Sequence, residues 1–404
     1  MDEYISKIRS GDLKLYALEK SLPADDAVSL RRKYIEEETG ADLSAVGTYT
    51  IPIDRVVTRN IENMIGCVQI PLGVAGPLTV KGEYANGSFW LPLATTEGAL
   101  VASINRGCSA ITKAGGTEVR ILRDGMTRAP IFAAKSVAHA AEVARWAEDN
   151  LLLLKVAAEE TTNHGELIGL TTYTAGTSVF IRFEFDTKDA MGMNMATIAS
   201  EAAAHLIEEE TKAKLIAVSG NMCCDKKPSA INIIEGRGKT VSAGVFLSDE
   251  LVSMVFKTNS ATLAEVNTRK NLTGSARAAS FGFNAQAANV VAAMFIACGQ
   301  DPAHVVEGSN AITTVDLVEG GVYVSVTLPS LQVGTIGGGT SIATQNACLS
   351  TLGVAGGAEN PGDNAKAFAE IVASGVLAGE LSLLGALGAQ HLGKAHRELG
   401  RGEK

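Results

Sequence analysis

The chain has 404 residues, with 35 Lys plus Arg against 44 Asp plus Glu and a formal charge of −9. That acidic balance argues against nucleic acid as the main partner, because phosphate binding wants a basic footprint. With 46% hydrophobic and 20% charged residues, the composition is globular rather than disordered, and the length suggests two or three domains.

In chain order, residues 1–50 read as a polar helical segment. The stretch 21–40 begins with Pro23 and acids in its first turn and stops at Gly40. The N-terminus is charged and carries no apolar signal-peptide run. Short β-prone pieces follow at 68–71 and 89–93, then a helix over 96–106. From 130 to 219 the order is a helix over 136–160, strands at 167–173 and 178–185, a helix over 194–213 and a strand at 214–219. That is the order of a small α+β unit inserted into a larger one. In the second strand Val179, Ile181, Phe183 and Phe185 alternate with Phe180, Arg182 and Glu184, which suits one well-buried face.

Beyond 220 the pattern predicts a strand at 240–247, a long Ala-rich helix over 274–298 and a hairpin through Glu319-Gly320-Gly321. Helices are expected over 341–352 and 364–397, the last with Asp363 as its N-cap. The stretch 371–390 is apolar, but Glu380 in its middle favours a buried core helix over a membrane span. No G-x-G-x-x-G is present, so a Rossmann dinucleotide site is not supported. Cys67, Cys108, Cys223, Cys224, Cys298 and Cys348 form no C-x-x-C pair. Neither a zinc site nor a disulfide framework is expected, and a reducing cytosol is the simplest setting.

Five segments concentrate unusual chemistry. In 219–239, Lys226 and Lys227 follow Asp225 and precede Pro228 in a loop. They suit anion binding or an oxyanion, or they form a solvated basic turn. Glu97, at the entry of an apolar helix, is a favourable dipole partner or a partly desolvated general acid. Asp301, placed after an apolar helix and before Pro302, would be opposed by a helix dipole, and such a position invites a functional role. Segments 189–195 (DAMGMNM) and 334–340 (GTIGGGT) offer close backbone approach to a phosphate or cofactor, or a core turn and a hinge. His391 and His396 do not share a helix face; His396 is ordinary surface or a proton donor carried on a mobile tail.

Read together, ENMIGCVQIPLGVAGPL (62–78), TTEGALVASINRGC, DAMGMNM, SGN-x-x-x-DKKPSAIN, ACGQD, GTIGGGT and HLGKAH closely resemble the 3-hydroxy-3-methylglutaryl-coenzyme A (HMG-CoA) reductases, over about 50–400. TTEG followed by ALVAS, with DKKPSAIN, is similar to the class shared by eukaryotes and archaea. The resemblance implies an α+β fold: an N-terminal helical segment (1–50), a large α/β HMG-CoA-binding domain (51–129 and 220–404) and an inserted ferredoxin-like small NADP(H) domain (130–219). It implies two hydride transfers from NADPH that convert HMG-CoA to mevalonate and free CoA, in the mevalonate pathway of isoprenoid synthesis.

By the same resemblance Lys226 stabilises the oxyanion, Glu97 donates a proton to the aldehyde-level oxygen, and Asp301 hydrogen-bonds both. His396 protonates the leaving CoA thiolate. Arg128, Ser219, Asp225, Lys227, Lys270 and Asn289 match positions around the hydroxymethylglutaryl group, and 62–78 matches the pantetheine region. Asp189, Met191, Gly192, Met193 and Asn194 match the nucleotide loop, with Gly337, Gly338, Gly339 and Thr340 as a second glycine-rich contact. No metal is implied. The active site is expected between subunits of a cytoplasmic homodimer or homotetramer.

Two departures stand out. Thr162-Asn163-His164 replaces an Arg-bearing triplet at the adenosine end, which leaves NADH possible unless Arg401 or a lysine of 212–214 substitutes. Gly402 aligns with a phosphorylatable serine of animal enzymes, which also carry a membrane anchor not expected here. NAD-dependent mevalonate oxidation and a non-catalytic CoA-binding protein are the alternatives; the joint presence of Glu97, Lys226, Asp301 and His396 argues against the latter.

Overall fold

The computed structural model describes residues 2–162 and 164–389. Its strands are β1 (Leu72–Lys81), β2 (Asn86–Ala94), β3 (Thr117–Arg128), β4 (Ile131–Ala133), β5 (Glu166–Ala175), β6 (Ser178–Asp186), β7 (Lys214–Ala217), β8 (Gly238–Ser248), β9 (Ile312–Val318) and β10 (Gly321–Leu331). They join in one ten-stranded sheet in the order β7-β4-β6-β3-β8-β10-β9, with β1 and β2 attached beside β3 and β5 beside β6. The ladders are antiparallel except for a short parallel contact of β1 with β3. The mixed helix-and-sheet class is the α+β class expected from the sequence.

β3 belongs to both halves of the sheet. Glu118–Gly125 lies against β8, and Met126–Arg128 continues against β6. Two hydrophobic cores follow from this. The smaller one runs from Met126 to Ala213 and holds Phe132, Val179, Ile181, Phe183 and Phe185 under the helix Met193–Thr211. The alternation in β6 thus buries the face that the sequence predicts; Arg182 on the other face is also buried and donates to the carbonyl of Gly236.

The larger core surrounds the helix Asp363–Gly388. That helix is long and apolar enough to cross a membrane, yet 83% of its most apolar window is buried inside the protein. Small residues let its neighbours come close: a Cβ on Gly107 of the helix Leu100–Lys113 would lie 1.9 Å from the carbonyl oxygen of Ala378. Glu370 and Glu380 are fully buried in it. Glu370 accepts the backbone N–H groups of Glu83, Tyr84 and Ala85, and Glu380 those of Ala285 and Gln286 and the hydroxyl of Thr313. Each carboxylate thereby satisfies a turn that would otherwise bury orphan donors.

Several local expectations need correction. The strand expected at 68–71 begins only at Leu72, and the helix expected from 96 begins at Leu100. The helix expected over 136–160 is two, Val137–Asp149 and Leu151–Glu159, because Asn150 ends the first and opens the second. The Ala-rich run 274–298 is broken. A wide turn at Asn267–Gly274 and the short helix Ser275–Arg277 come first, and a regular helix starts only at Ala287. Asp363 is the first helical residue rather than the cap; Gly362 holds the cap position, and the capping carboxylate comes from Asp189.

Candidate active site

The loop 219–228 leaves β7 and returns through the short helix Ala230–Ile234 to β8. Asn221, Cys224 and Lys226 all take positive φ, 65°, 43° and 57°. Side-chain-bearing residues seldom adopt that region unless their surroundings impose it. The Lys226 amine is exposed, with Nζ 2.7 Å from Asp301 Oδ2. Its backbone N–H donates to Glu307 Oε1 at 3.0 Å.

Asp301 does not end a helix. The helix Ala287–Ala297 stops four residues earlier, and Asp301 caps the turn Pro302–His304 by accepting the N–H of Ala303 at 3.0 Å. The local dipole therefore favours its ionised form, the reverse of the sequence expectation. Burial alone would raise this carboxyl, but the hydrogen bond from Lys226 and the capping amide outweigh it and hold it below the usual range.

Behind this pair lies a buried ion chain. Asp225 Oδ1 meets Arg237 Nη2 at 3.0 Å and His304 Nε2 at 3.0 Å, while Arg237 Nη1 meets Glu307 Oε1 at 2.8 Å. Arg237, His304 and Glu307 are completely buried. Burial would raise Asp225, but His304, Arg237 and Arg128 together hold it well below the ordinary carboxylate range. For Glu307 burial wins over its donors, and its carboxyl is pushed up. Asp225, His304 and Glu307 could between them present metal ligands, but the Arg237 guanidinium already bridges the two carboxylates and supplies the positive charge there.

Arg237, His304 and Glu307 are not among the residues that the motifs point to. The available signal was spacing: His304 and Glu307 lie three and six residues past Asp301, so the turn brings them to one side. Cys223, also not singled out, is buried beside Ser219 and Arg128. Burial would raise its thiol, but the Ser219 hydroxyl and the charges of Arg237 and Arg128 bring it below its ordinary value.

Glu97 sits in a second cluster. It is exposed, lies three residues ahead of the helix Leu100–Lys113, and accepts Asn289 Nδ2 at 3.4 Å. This chain does not supply the desolvation expected for it. Glu97, Arg106, Gln286, Asn289 and Leu383 line a cavity of about 500 Å³. The structure thus brings Lys226 to Asp301 and Glu97 to Asn289; among the described residues no hydrogen bond joins the two pairs.

The other expected substrate residues are dispersed. Arg128 spends Nε and Nη2 on Thr197 Oγ1, at 3.0 and 2.7 Å. Lys227 Nζ donates to the carbonyl of Asp225 at 3.1 Å, and Ser219 is exposed. Lys270 lies in the wide turn Asn267–Gly274 and donates to Asn271. Burial lowers its pKa, with the Glu380 charge opposing. His396, His391, Arg401, Gly402 and Asn163 lie outside the described residues.

The two glycine-rich segments meet. Ala190 and Ile336 bridge, and the carbonyl of Asp189 accepts the N–H of Thr335 at 2.8 Å. A Cβ on Gly339 would lie 2.6 Å from the carbonyl oxygen of Gly299, so only glycine lets this loop pack beside the segment leading to Asp301. Gly192, at φ 86°, opens the helix Met193–Thr211 with no side chain capping it, and Asn194 in the first turn is exposed. Met191 is half-buried, and Met193 faces Arg237. Gly337 and Gly338 are exposed, with open space where a Cβ would be.

A bare helix N-terminus facing an exposed glycine loop fits a phosphate-bearing nucleotide. Two expected contacts do not fit. The Asp189 carboxylate accepts the backbone N–H groups of Ala358, Gly362 and Ala365 and is buried. Thr340 is buried, with its hydroxyl on the carbonyl of Gly337.

The comparisons with known proteins bear on the whole chain. The family model for hydroxymethylglutaryl-coenzyme A reductase matches residues 27–401. The chain is 56% identical over 395 residues to the 3-hydroxy-3-methylglutaryl-coenzyme A reductase of Haloferax volcanii, covering 98% of each chain. It is 52% identical to that of Pyrococcus abyssi, covering 99% of this chain and all of that one, and 44% identical to that of Zea mays, covering 100% of this chain and 70% of that one. Among solved structures, a 3-hydroxy-3-methylglutaryl-coenzyme A reductase of Streptococcus pneumoniae superposes with a TM-score of 0.67 at 18% identity over 96% of both chains. A class II reductase structure from the same organism, bound to NADPH, gives 0.66 over the same share. By the family match and by these archaeal and plant relatives, the chain belongs to the hydroxymethylglutaryl-coenzyme A reductase family.

Proposed function

We propose that the chain reduces HMG-CoA to mevalonate and free CoA with NADPH, by two successive hydride transfers. The observation that carries this reading is the exposed Lys226 amine, 2.7 Å from the Asp301 carboxylate. An ammonium anchored on a carboxylate stands ready for the negative charge that develops on a thioester oxygen. The bound nucleotide would supply the hydrides, held by the helix start at Gly192, Met193 and Asn194 and by the loop Gly337–Gly339.

Glu97 has the role of proton donor to the aldehyde-level oxygen. The split between its cluster and that of Lys226 within one chain supports a site completed by a second copy, in a homodimer or homotetramer. Burial of Glu97 in such an interface would supply the desolvation that the single chain lacks. We assign His396 the protonation of the CoA thiolate, and Lys227, Lys270 and Asn289 contacts to the acyl group. The segment 130–219 is the nucleotide-binding unit, and the cytoplasm the site of action.

The test follows nucleotide oxidation in the presence of HMG-CoA, with NADPH and NADH in parallel. Two NADPH consumed per HMG-CoA, with mevalonate as product, is the expected result. Absence of turnover with both nucleotides overturns the reading; a preference for NADH overturns only the cofactor assignment.

A further inference from the structure

The loop that carries Lys226 presents a problem of its own. Lys226 holds φ at 57°, next to Asp225 and two residues after Cys224 at 43°. Nothing in the local sequence favours this shape: the residues are neither glycine nor asparagine, and they precede Pro228. Something outside the loop must hold it.

Glu307 is in the right place. It is fully buried, and a single oxygen, Oε1, accepts both the backbone N–H of Lys226 at 3.0 Å and Arg237 Nη1 at 2.8 Å. Its other oxygen, Oε2, is buried with no partner among the described residues. Arg237 reaches past it to Asp225 Oδ1 at 3.0 Å, and His304 Nε2 meets the same oxygen at 3.0 Å. The dipeptide Asp225-Lys226 is therefore gripped twice by one buried chain: by the Asp225 side chain from Arg237 and His304, and by the Lys226 amide from Glu307. The chain spans 226 to 307 in sequence, and Asp301, the partner of the Lys226 amine, sits on the turn that leads into Glu307. One short segment thus fixes both ends of Lys226.

We infer that Glu307 is a positioning residue for the reduction: by accepting the Lys226 N–H it sets the backbone that aims the Lys226 ammonium at Asp301 and at the reacting oxygen. This rests on the proposed role of Lys226. What matters is the reach of an acceptor oxygen, since Arg237 already carries the compensating charge and Oε2 takes no bond.

Reach and charge separate in two conservative variants. Glu307→Gln keeps the length and an acceptor oxygen and loses the charge. Glu307→Asp keeps the charge and withdraws the oxygen by one methylene. With the full-length enzyme, kcat and KM for HMG-CoA and NADPH are measured for wild type, both variants and Lys226→Ala, alongside thermal melting.

The expected order is kcat for Gln within about tenfold of wild type and for Asp lower by on the order of 10²-fold. Both KM values should hold within about threefold, because the loss falls on transition-state alignment. A higher kcat for Asp than for Gln overturns the inference in favour of a charge role. Wild-type kcat in both, or equal loss in both, also overturns it. Should Glu307→Asp fail to fold, Glu307→Met decides: wild-type kcat overturns the inference, and a fall of tenfold or more supports it. Failure of the proposed reaction itself is distinguishable, because it leaves wild type without turnover. Loss in Lys226→Ala with none in Glu307→Asp sinks the positioning role alone.

Discussion

The helix Asp363–Gly388 and the loop 219–228 both depend on buried carboxylates, and they satisfy them in opposite ways. Among the described residues, Glu370 takes its hydrogen bonds from backbone N–H groups, and Glu380 takes two more and that of the Thr313 hydroxyl. In both, burial outweighs those donors and the carboxyl is pushed up. Asp225 and Asp301 are also desolvated, but cations face them, and both are held down. Neutral donors serve a turn without rescuing the charge, whereas at Asp301 and Asp225 a directly bonded ammonium or guanidinium outweighs a smaller degree of burial. Glu307 stands between the two cases, with a cation beside it and yet raised by its depth. The acids that hold the fold together and the acids that equip the site thus differ in the partners they keep.

That contrast can be broken by experiment. Lys226→Ala should lower kcat by about 10²–10³-fold, measured as nucleotide oxidation, while urea unfolding shifts by no more than about 1 kcal/mol because the side chain is exposed. Glu380→Ala should do the opposite. It strands two half-buried N–H groups and the buried Thr313 hydroxyl, so an unfolding loss of about 3 kcal/mol is expected. A stable Glu380→Ala enzyme would end the distinction drawn here.

Asp189→Ala probes a smaller term. Its carboxylate caps the last helix from a distance, so the expected cost is about 1–2 kcal/mol in urea. Nucleotide Kd, followed by fluorescence titration, should hold within about threefold apart from that loss. Collapse of nucleotide affinity at unchanged stability would return Asp189 to the cofactor site.

The smallest effect is in the pH dependence. Asp225 has its folded pKa below the ordinary aspartate value of 3.8. Its contribution is full above that value and fades as pH falls through the folded pKa. Glu380 has its folded pKa above 4.5, so the folded state binds its proton more tightly and stability declines as pH rises from 4.5 through the folded value. Asp225→Asn should flatten the acid limb of an unfolding-versus-pH curve, and Glu380→Gln the limb above 4.5. Matching slopes in the two variants would contradict the opposite shifts.

Much of this was legible in the chain. The alternation in β6, the turn at Gly320 and the apolar last helix state their own periodicity, and local rules suffice for them. The resemblance carried by the motifs implies the Lys226–Asp301 pairing. What escaped depended on partners distant in sequence. At the helix break before Ala287, Glu380, some 95 residues on, takes the amides of Ala285 and Gln286, beside the local cap of Asn284 on Ala287. Asp363 lost the cap to Asp189, which no window around 363 contains. Arg237 and Glu307 look like ordinary surface charges until the fold closes over them.

The strand β3 passes through both cores, and this bears on how the protein can be rebuilt. A chimera that exchanges the segment 130–219 would seem to cut at loops. It would set Met126, whose side chain belongs to the smaller core, against a foreign core, and pair Met126–Arg128 with a foreign β6 edge. Arg128 would also lose Thr197, its hydrogen-bond partner across the junction. A graft of this segment must therefore begin inside a strand, at 126, and inherit its twist. Recombination between relatives faces the same constraint, so crossovers are expected inside β3, ahead of Met126, rather than at the loops.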